Sequence, residues 1–325
     1  MISEPASSVV PEPKDLRETR DFDAFDLETR HLRRLIDARL GKLLVPDPGT
    51  GDLVRQAMHE AVMSPGKRLR PMLALLAARD LDADETAVLD AGCALEMVHT
   101  ASLILDDLPC MDDAALRRGN PSIHVRFGQD IAILAAVALL SQAFGLMAAV
   151  PRVTGDQRAR LVTILSDAVG VNGLVGGQYA DLRSGRERTA ADIAVANDRK
   201  TGSLFTAALD AVCVIGCSDD TCRKRLREFA RELGQAFQIL DDILDMTGDA
   251  DTLGKDVQQD RDKATLIALV GMEGGRRRLG HHVSKAIGAL KEQPRGAGRL
   301  GQMVRWVFGE ALEAKRERAG RAALG

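Results

Sequence analysis

FQILDDILD at residues 237–245 and LILDDLPCMDD at residues 103–113 are the two stretches on which the fold turns. At about 100° per residue, Gln238, Asp241 and Asp245 of the first stretch fall one turn apart on one helix face, with Asp242 beside them. A polar stripe therefore cuts an otherwise apolar helix. In the second stretch Pro109 disfavours helix at Leu108 and has no amide to donate, so Asp106 and Asp107 are predicted to end a helix. Asp112 must then return toward them from the loop.

Carboxylates set among Leu, Ile and Met are costly unless something compensates them, and an acidic pair on a solvated surface would instead sit among Lys and Glu. Mg²⁺, with Mn²⁺ as an alternative, takes oxygen ligands from a few carboxylates plus substrate phosphates. Asp106, Asp107, Asp112, Asp241, Asp242 and Asp245 thus predict a diphosphate clamped by divalent ions between two facing helices.

Working outward, helical periodicity dominates from Leu27 onward and no two-residue alternation runs long enough to compete. Breaks rich in Pro, Gly and Asp, such as Ser64–Gly66, Leu108–Pro121 and Met246–Asp262, are spaced as connections between helices. Hydrophobic residues make up 45% of the 325 and aromatics only 3%, which suits closely packed helices. The expected fold is all-α, one large helical bundle over residues 22–325, preceded by a mobile tail at residues 1–21.

A net charge of −3 and a pI near 6.1 give no global reason to expect nucleic acid as a partner. The five cysteines are scattered without CxxC or zinc spacing, which suggests reduced thiols and a cytoplasmic setting. The N-terminus lacks the basic start and apolar core of a signal peptide. Residues Ile131–Val150 approach the length of a membrane span but lack basic flanks and a Trp or Tyr belt, so a buried central helix is expected rather than a span.

Cations gather at the connections. GKRLRP occupies residues 66–71 and LRRGNP residues 116–121, and together they suit a second anion site built from Arg forks and Lys charges without metal. His99 lies seven residues before Asp106, hence on nearly the same helix face. Lys200 and Thr201, and further on Lys255, Asp256, Asp260 and Lys263, add charge near loop ends.

These segments resemble, in order, the trans-isoprenyl diphosphate synthase family, and most of all its bacterial geranylgeranyl diphosphate synthases. The resemblance runs from about Leu53 to Leu269 and rests on GKRLRP, EMVHTASLILDDLPCMDDAALRRGNP, GLVGGQYADL, KTGSLF, GQAFQILDDILD and LGKDVQQDRDKATL. It implies a helical bundle around a deep cavity, generally a homodimer, that joins isopentenyl diphosphate to an allylic diphosphate of five, ten or fifteen carbons. Both aspartate motifs would bind Mg²⁺ at the allylic diphosphate, the first in its longer bacterial form. Arg117, Lys200, Thr201, Gln238 and Lys255 match allylic-site positions, and Gly66, Lys67, Arg70, His99 and Arg118 match positions that hold isopentenyl diphosphate. Phe237 would lie over the incoming double bond.

Two positions depart from the family pattern: Pro65 stands where many relatives have Gly, and Asn197 where many have His. Ala101, five residues before Asp106, and Ser102 are small where fifteen-carbon synthases commonly carry an aromatic, which implies the twenty-carbon product. A terpene cyclase would need no second anion site and would want an aromatic-lined cavity. A non-catalytic subunit would not need all six aspartates, and a plain scaffold explains none of the polar residues.

Overall fold

The computed structural model describes residues 14–45, 52–183, 189–247, 266–291 and 297–309. The described helices are α1 Lys14–Leu43, α2 Leu53–Met63, α3 Leu69–Leu81, α4 Glu85–Asp106, α5 Ile123–Phe127, α6 Gln129–Ala148, α7 Gly155–Val169, α8 Leu174–Arg183, α9 Ala190–Asn197, α10 Ser203–Ile215, α11 Asp220–Thr247 and α12 Leu266–Leu290, followed by helix at 298–309. A π-helical turn, Asp198–Gly202, joins α9 to α10. A two-residue ribbon, β1 Leu116–Arg117 and β2 Asn120–Pro121, pairs antiparallel between α4 and α5. Helix α1 begins at Lys14, within the stretch expected as a tail.

Helix starts follow their capping chemistry. Asp52 and Asp84 accept hydrogen bonds from the amides of Arg55 and Ala87 to open α2 and α4, and Thr154 with Gln157 forms a capping box at α7. At the other end of α4, Asp107 is the C-cap and Pro109 lies in the turn that follows.

The core centres on α3 and α4. Pro71–Ala78 and Ala87–Val98 are buried at every position, so neither helix has a solvent face over those spans. A helix apolar all round belongs inside a bundle. Around α4 pack α3, α6 and α10, while α11 lies along α12 and against α10. Buried Asp210 ties α10 to α11 through Arg223 and Arg227.

Helix α6 departs from the expectation of a wholly buried helix. Ala132, Ala135, Ala136, Leu139, Ala143 and Met147 face inward, whereas Ile133, Leu134 and Val137 are 44%, 52% and 57% exposed. Small residues let one side approach α4 closely, and uniform apolarity along the sequence hides which side that is. On length and composition alone, three stretches of described residues could cross a membrane: Glu85–Asp106, Gln129–Ala148 and Gly155–Arg183. The first is the interior of this bundle.

Candidate active site

The loop after α4 folds back as its sequence requires. The Asp112 amide donates to the Asp106 carbonyl at 2.9 Å and the Ala114 amide to the Asp107 carbonyl at 3.2 Å, which returns the third aspartate to the first two. Arg118 (φ 53°) and Gly119 (φ 77°) make the ribbon turn, both left-handed as a two-residue hairpin loop prefers. The ribbon presents Arg117 to the Asp107 carboxylate, where Nε donates to both oxygens at 2.8 and 3.0 Å and Nη2 adds a third contact. Arg118 swings the other way and donates Nη1 to the Pro65 carbonyl at 2.7 Å.

Burial pushes the Asp106 carboxyl above its ordinary range; Lys200 and Arg117 oppose the shift, and Asp112 and Asp107 add to it. Asp107 is raised by burial too, against the pull of Arg117. Closely placed, desolvated oxygen donors of this kind fit a hard divalent cation. Among the described residues no three His, Cys, Asp or Glu side chains converge into a ready cage. Mg²⁺ does not need one, because it completes its shell with water and substrate phosphate oxygens.

The second cluster joins the first through a chain of side-chain contacts. Lys200 Nζ lies 3.7 Å from Asp106 Oδ2 and 3.2 Å from Asp181 Oδ2. Next to it, the Thr201 hydroxyl donates to Gln238 Oε1 at 3.4 Å, and Gln238 Nε2 donates to Asp242 Oδ1 at 3.2 Å. A carboxylate can only accept, so the amide nitrogen must face Asp242 and the amide oxygen Thr201. Asp241 and Asp242 are half-buried on α11 and Asp245 is exposed. Lys200 and Thr201 sit on the π-helical turn, a backbone form that recurs at functional sites.

The cations expected to form a second anion site lie around His99. Burial drives the His99 ring well below its usual pKa, helped by Arg70, Arg118, Arg117 and Arg68, so it is neutral at pH 7. Burial also lowers Arg70 to about 10, with Glu96 opposing. Arg70 sits 5.2 Å over the Phe205 ring, and Phe205 meets Phe237 edge-on at 6.0 Å. Gly66 lets Arg118 come close: a Cβ there would meet Arg118 Nη1 at 2.6 Å and push that flexible side chain aside. Lys67 is exposed in the same loop.

A cavity of about 630 Å³ opens beside these groups between α2, α4, the ribbon and α5, with His99, Arg118, Asp107, Leu103 and Ile104 in its wall. Ala101 does not line it. That residue is fully buried in the core, on the side of α4 roughly 160° away from Leu103.

Of the two departures, Pro65 lends the carbonyl that holds Arg118, a role any residue's backbone fills, and Asn197 ends α9 just before the π-helical turn. Lys255, Asp256, Asp260 and Lys263 lie outside the described residues. Sequence reasoning assigned no role to Asp181, which holds Lys200, or to Gln178, which is buried with both amide atoms unpartnered by protein. The signal was there in GLVGGQYADL, whose polar residues sit among glycines.

The polyprenyl synthetase family model matches residues 51–296. The chain belongs to the polyprenyl synthetase family. Geranylgeranyl diphosphate synthase of Pseudescherichia vulneris is 46% identical over 288 residues, 88% of this chain and 92% of that protein. Its counterpart from Pantoea ananas is 49% identical over 254 residues, 77% of this chain and 83% of that one. Among solved structures, geranyltransferase of Helicobacter pylori, complexed with magnesium and isoprenyl diphosphate, matches with a TM-score of 0.78 at 27% identity, over 86% of this chain and 96% of that one.

Proposed function

We propose that this polyprenyl synthetase condenses isopentenyl diphosphate with an allylic diphosphate to give geranylgeranyl diphosphate. The observation that carries the reading is the contact chain from Asp106 through Lys200 and from Thr201 through Gln238 to Asp242, which makes one site of two clusters distant in sequence. The similarity to two geranylgeranyl diphosphate synthases at 46% and 49% identity supports the twenty-carbon product.

Asp106, Asp107 and Asp112 with Asp241, Asp242 and Asp245 would hold Mg²⁺ or Mn²⁺, which neutralises charge on the departing diphosphate when bound. Lys200 and Arg117 add fixed positive charge where that negative charge develops. The C–O bond breaks with its electron pair going to diphosphate, and the Thr201 and Gln238 oxygens turn their dipoles toward the allylic cation. Arg70, Arg118, Lys67 and neutral His99 hold isopentenyl diphosphate so that its double bond meets the cation beside Phe237. Holding both partners removes most of the entropic barrier of a two-substrate step. A new C–C bond forms, and a proton leaves to the released diphosphate.

The reading also takes the exposed Ile133, Leu134 and Val137 face of α6 as the surface where two copies pair, because that much apolar side chain left in water is the usual mark of an interface. The deciding experiment incubates purified protein with labelled isopentenyl diphosphate, Mg²⁺ and a C5, C10 or C15 primer, and measures product length by chromatography. A C20 diphosphate is expected, abolished by EDTA and restored by Mg²⁺. No elongation with any primer, or a cyclised hydrocarbon from one substrate alone, overturns the proposal.

A further inference from the structure

Arg68 lies inside GKRLRP between two residues matched to the isopentenyl site, yet its guanidinium is buried against α1, α2 and α4. Its residue is 4% exposed and its backbone is left-handed (φ 50°, ψ 39°), a conformation that costs a non-glycine residue about 1–2 kcal/mol. Something must hold it there. Nη2 donates to the carbonyls of Val62 at 2.6 Å and Ser64 at 3.1 Å, at the end of α2. Nε donates to Asp37 of α1 at 2.8 Å, and Nη1 to Glu96 of α4 at 3.1 Å. One guanidinium therefore fastens three helices to the loop that carries the anion site.

Two consequences reach the site itself. Gripping the Ser64 carbonyl sets the direction of the next one, Pro65, and it is the Pro65 carbonyl that receives Arg118. On the other arm, Glu96 is a carboxylate that acts electrostatically on Arg68, Arg70 and Arg118 together. Only its Oε1 is bonded to Arg68; Oε2 is buried without a protein partner, as is Arg70 Nε. Glu96 thus sits as counter-charge among Arg68, Arg70 and Arg118. Burial pulls Arg68 down, but Glu96 and Asp37 outweigh it and the guanidinium stays charged.

We propose that Arg68 is a positioning residue of the metal-free diphosphate site, aiming Arg118 through the Ser64–Pro65 backbone. The proposal rests on the isopentenyl reading of Arg70, Arg118 and His99 given above. Lysine cannot replace it, since one compact ammonium cannot reach the four acceptors that the planar fork meets.

The test compares wild type, Arg68→Lys and Asp37→Asn by steady-state kinetics and by calorimetric binding of isopentenyl diphosphate in EDTA, which isolates the site that needs no metal. Arg68→Lys is expected to raise the KM for isopentenyl diphosphate about tenfold or more, with the allylic KM changed less than about twofold. Calorimetry should weaken in parallel. Asp37→Asn, which removes only the outermost partner, should give a smaller rise of the same selectivity, and it decides the matter if Arg68→Lys does not fold. Equal changes in both KM values, or a folded variant with unchanged isopentenyl affinity, overturns the positioning role. Wild type that elongates while the variants show no selective loss sinks this inference alone; wild type that neither binds nor elongates sinks the functional reading with it.

Discussion

His99 shows how a single side chain takes its protonation state from its neighbours. Burial and four arginines hold the ring neutral, so its folded pKa lies below the ordinary 6.5. A base depressed in this way contributes stability that is present above pH 6.5 and is lost as pH falls, because the unfolded chain then binds the proton more readily. His99→Gln removes that titration. The melting temperature of the variant should therefore fall less between pH 7.5 and 5.5 than that of the wild type, followed by circular dichroism. At the same scale, Lys200 bridges Asp106 and Asp181 while next to the Thr201–Gln238 bond. Lys200→Met should lower kcat by about a hundredfold or more, the scale expected when a fixed cation is removed from developing negative charge, while far-UV circular dichroism stays unchanged.

The π-helical turn Asp198–Gly202 carries both Lys200 and Thr201, whose contacts link the two aspartate clusters. It fits because α8 closes on it without a side chain in between: a Cβ on Gly177 would meet the Lys200 amide nitrogen at 2.4 Å and its Cα at 2.8 Å. Gly177→Ala should push the turn out of place, costing about 1–3 kcal/mol by urea unfolding as overpacking does. Turnover should fall at least tenfold with it, because Lys200 and Thr201 move together. If stability drops and kcat does not, the turn is not what sets their position. The ribbon between α4 and α5 is the opposite case, since RRGNP announces its own turn. There Arg118–Gly119 supplies both left-handed residues, and the register that places Arg117 against Asp107 follows.

Over the whole molecule, α3 and α4 form the interior and α6 is left half outside it. On the pairing proposed for this face, Leu134→Glu should shift the protein from dimer to monomer in sedimentation velocity, with little change in the melting of the isolated chain, since a 52% exposed side chain is not core. A variant that stays dimeric would place the interface elsewhere. The helical class, the end of α4 at Asp107, the return of Asp112 and the acidic stripe of α11 were all legible in the chain, because each depends on contacts or dihedral limits within a few residues. Periodicity, proline and glycine act locally, so reading along the sequence recovers them. What the tertiary structure alone decided is which side of α6 is covered, that Ala101 lies in the core away from the cavity, and that Arg68 turns inward to bind Asp37, Glu96 and two carbonyls. Those outcomes depend on residues tens of positions apart meeting in space, and a buried charge keeps whichever partner the packing brings to it.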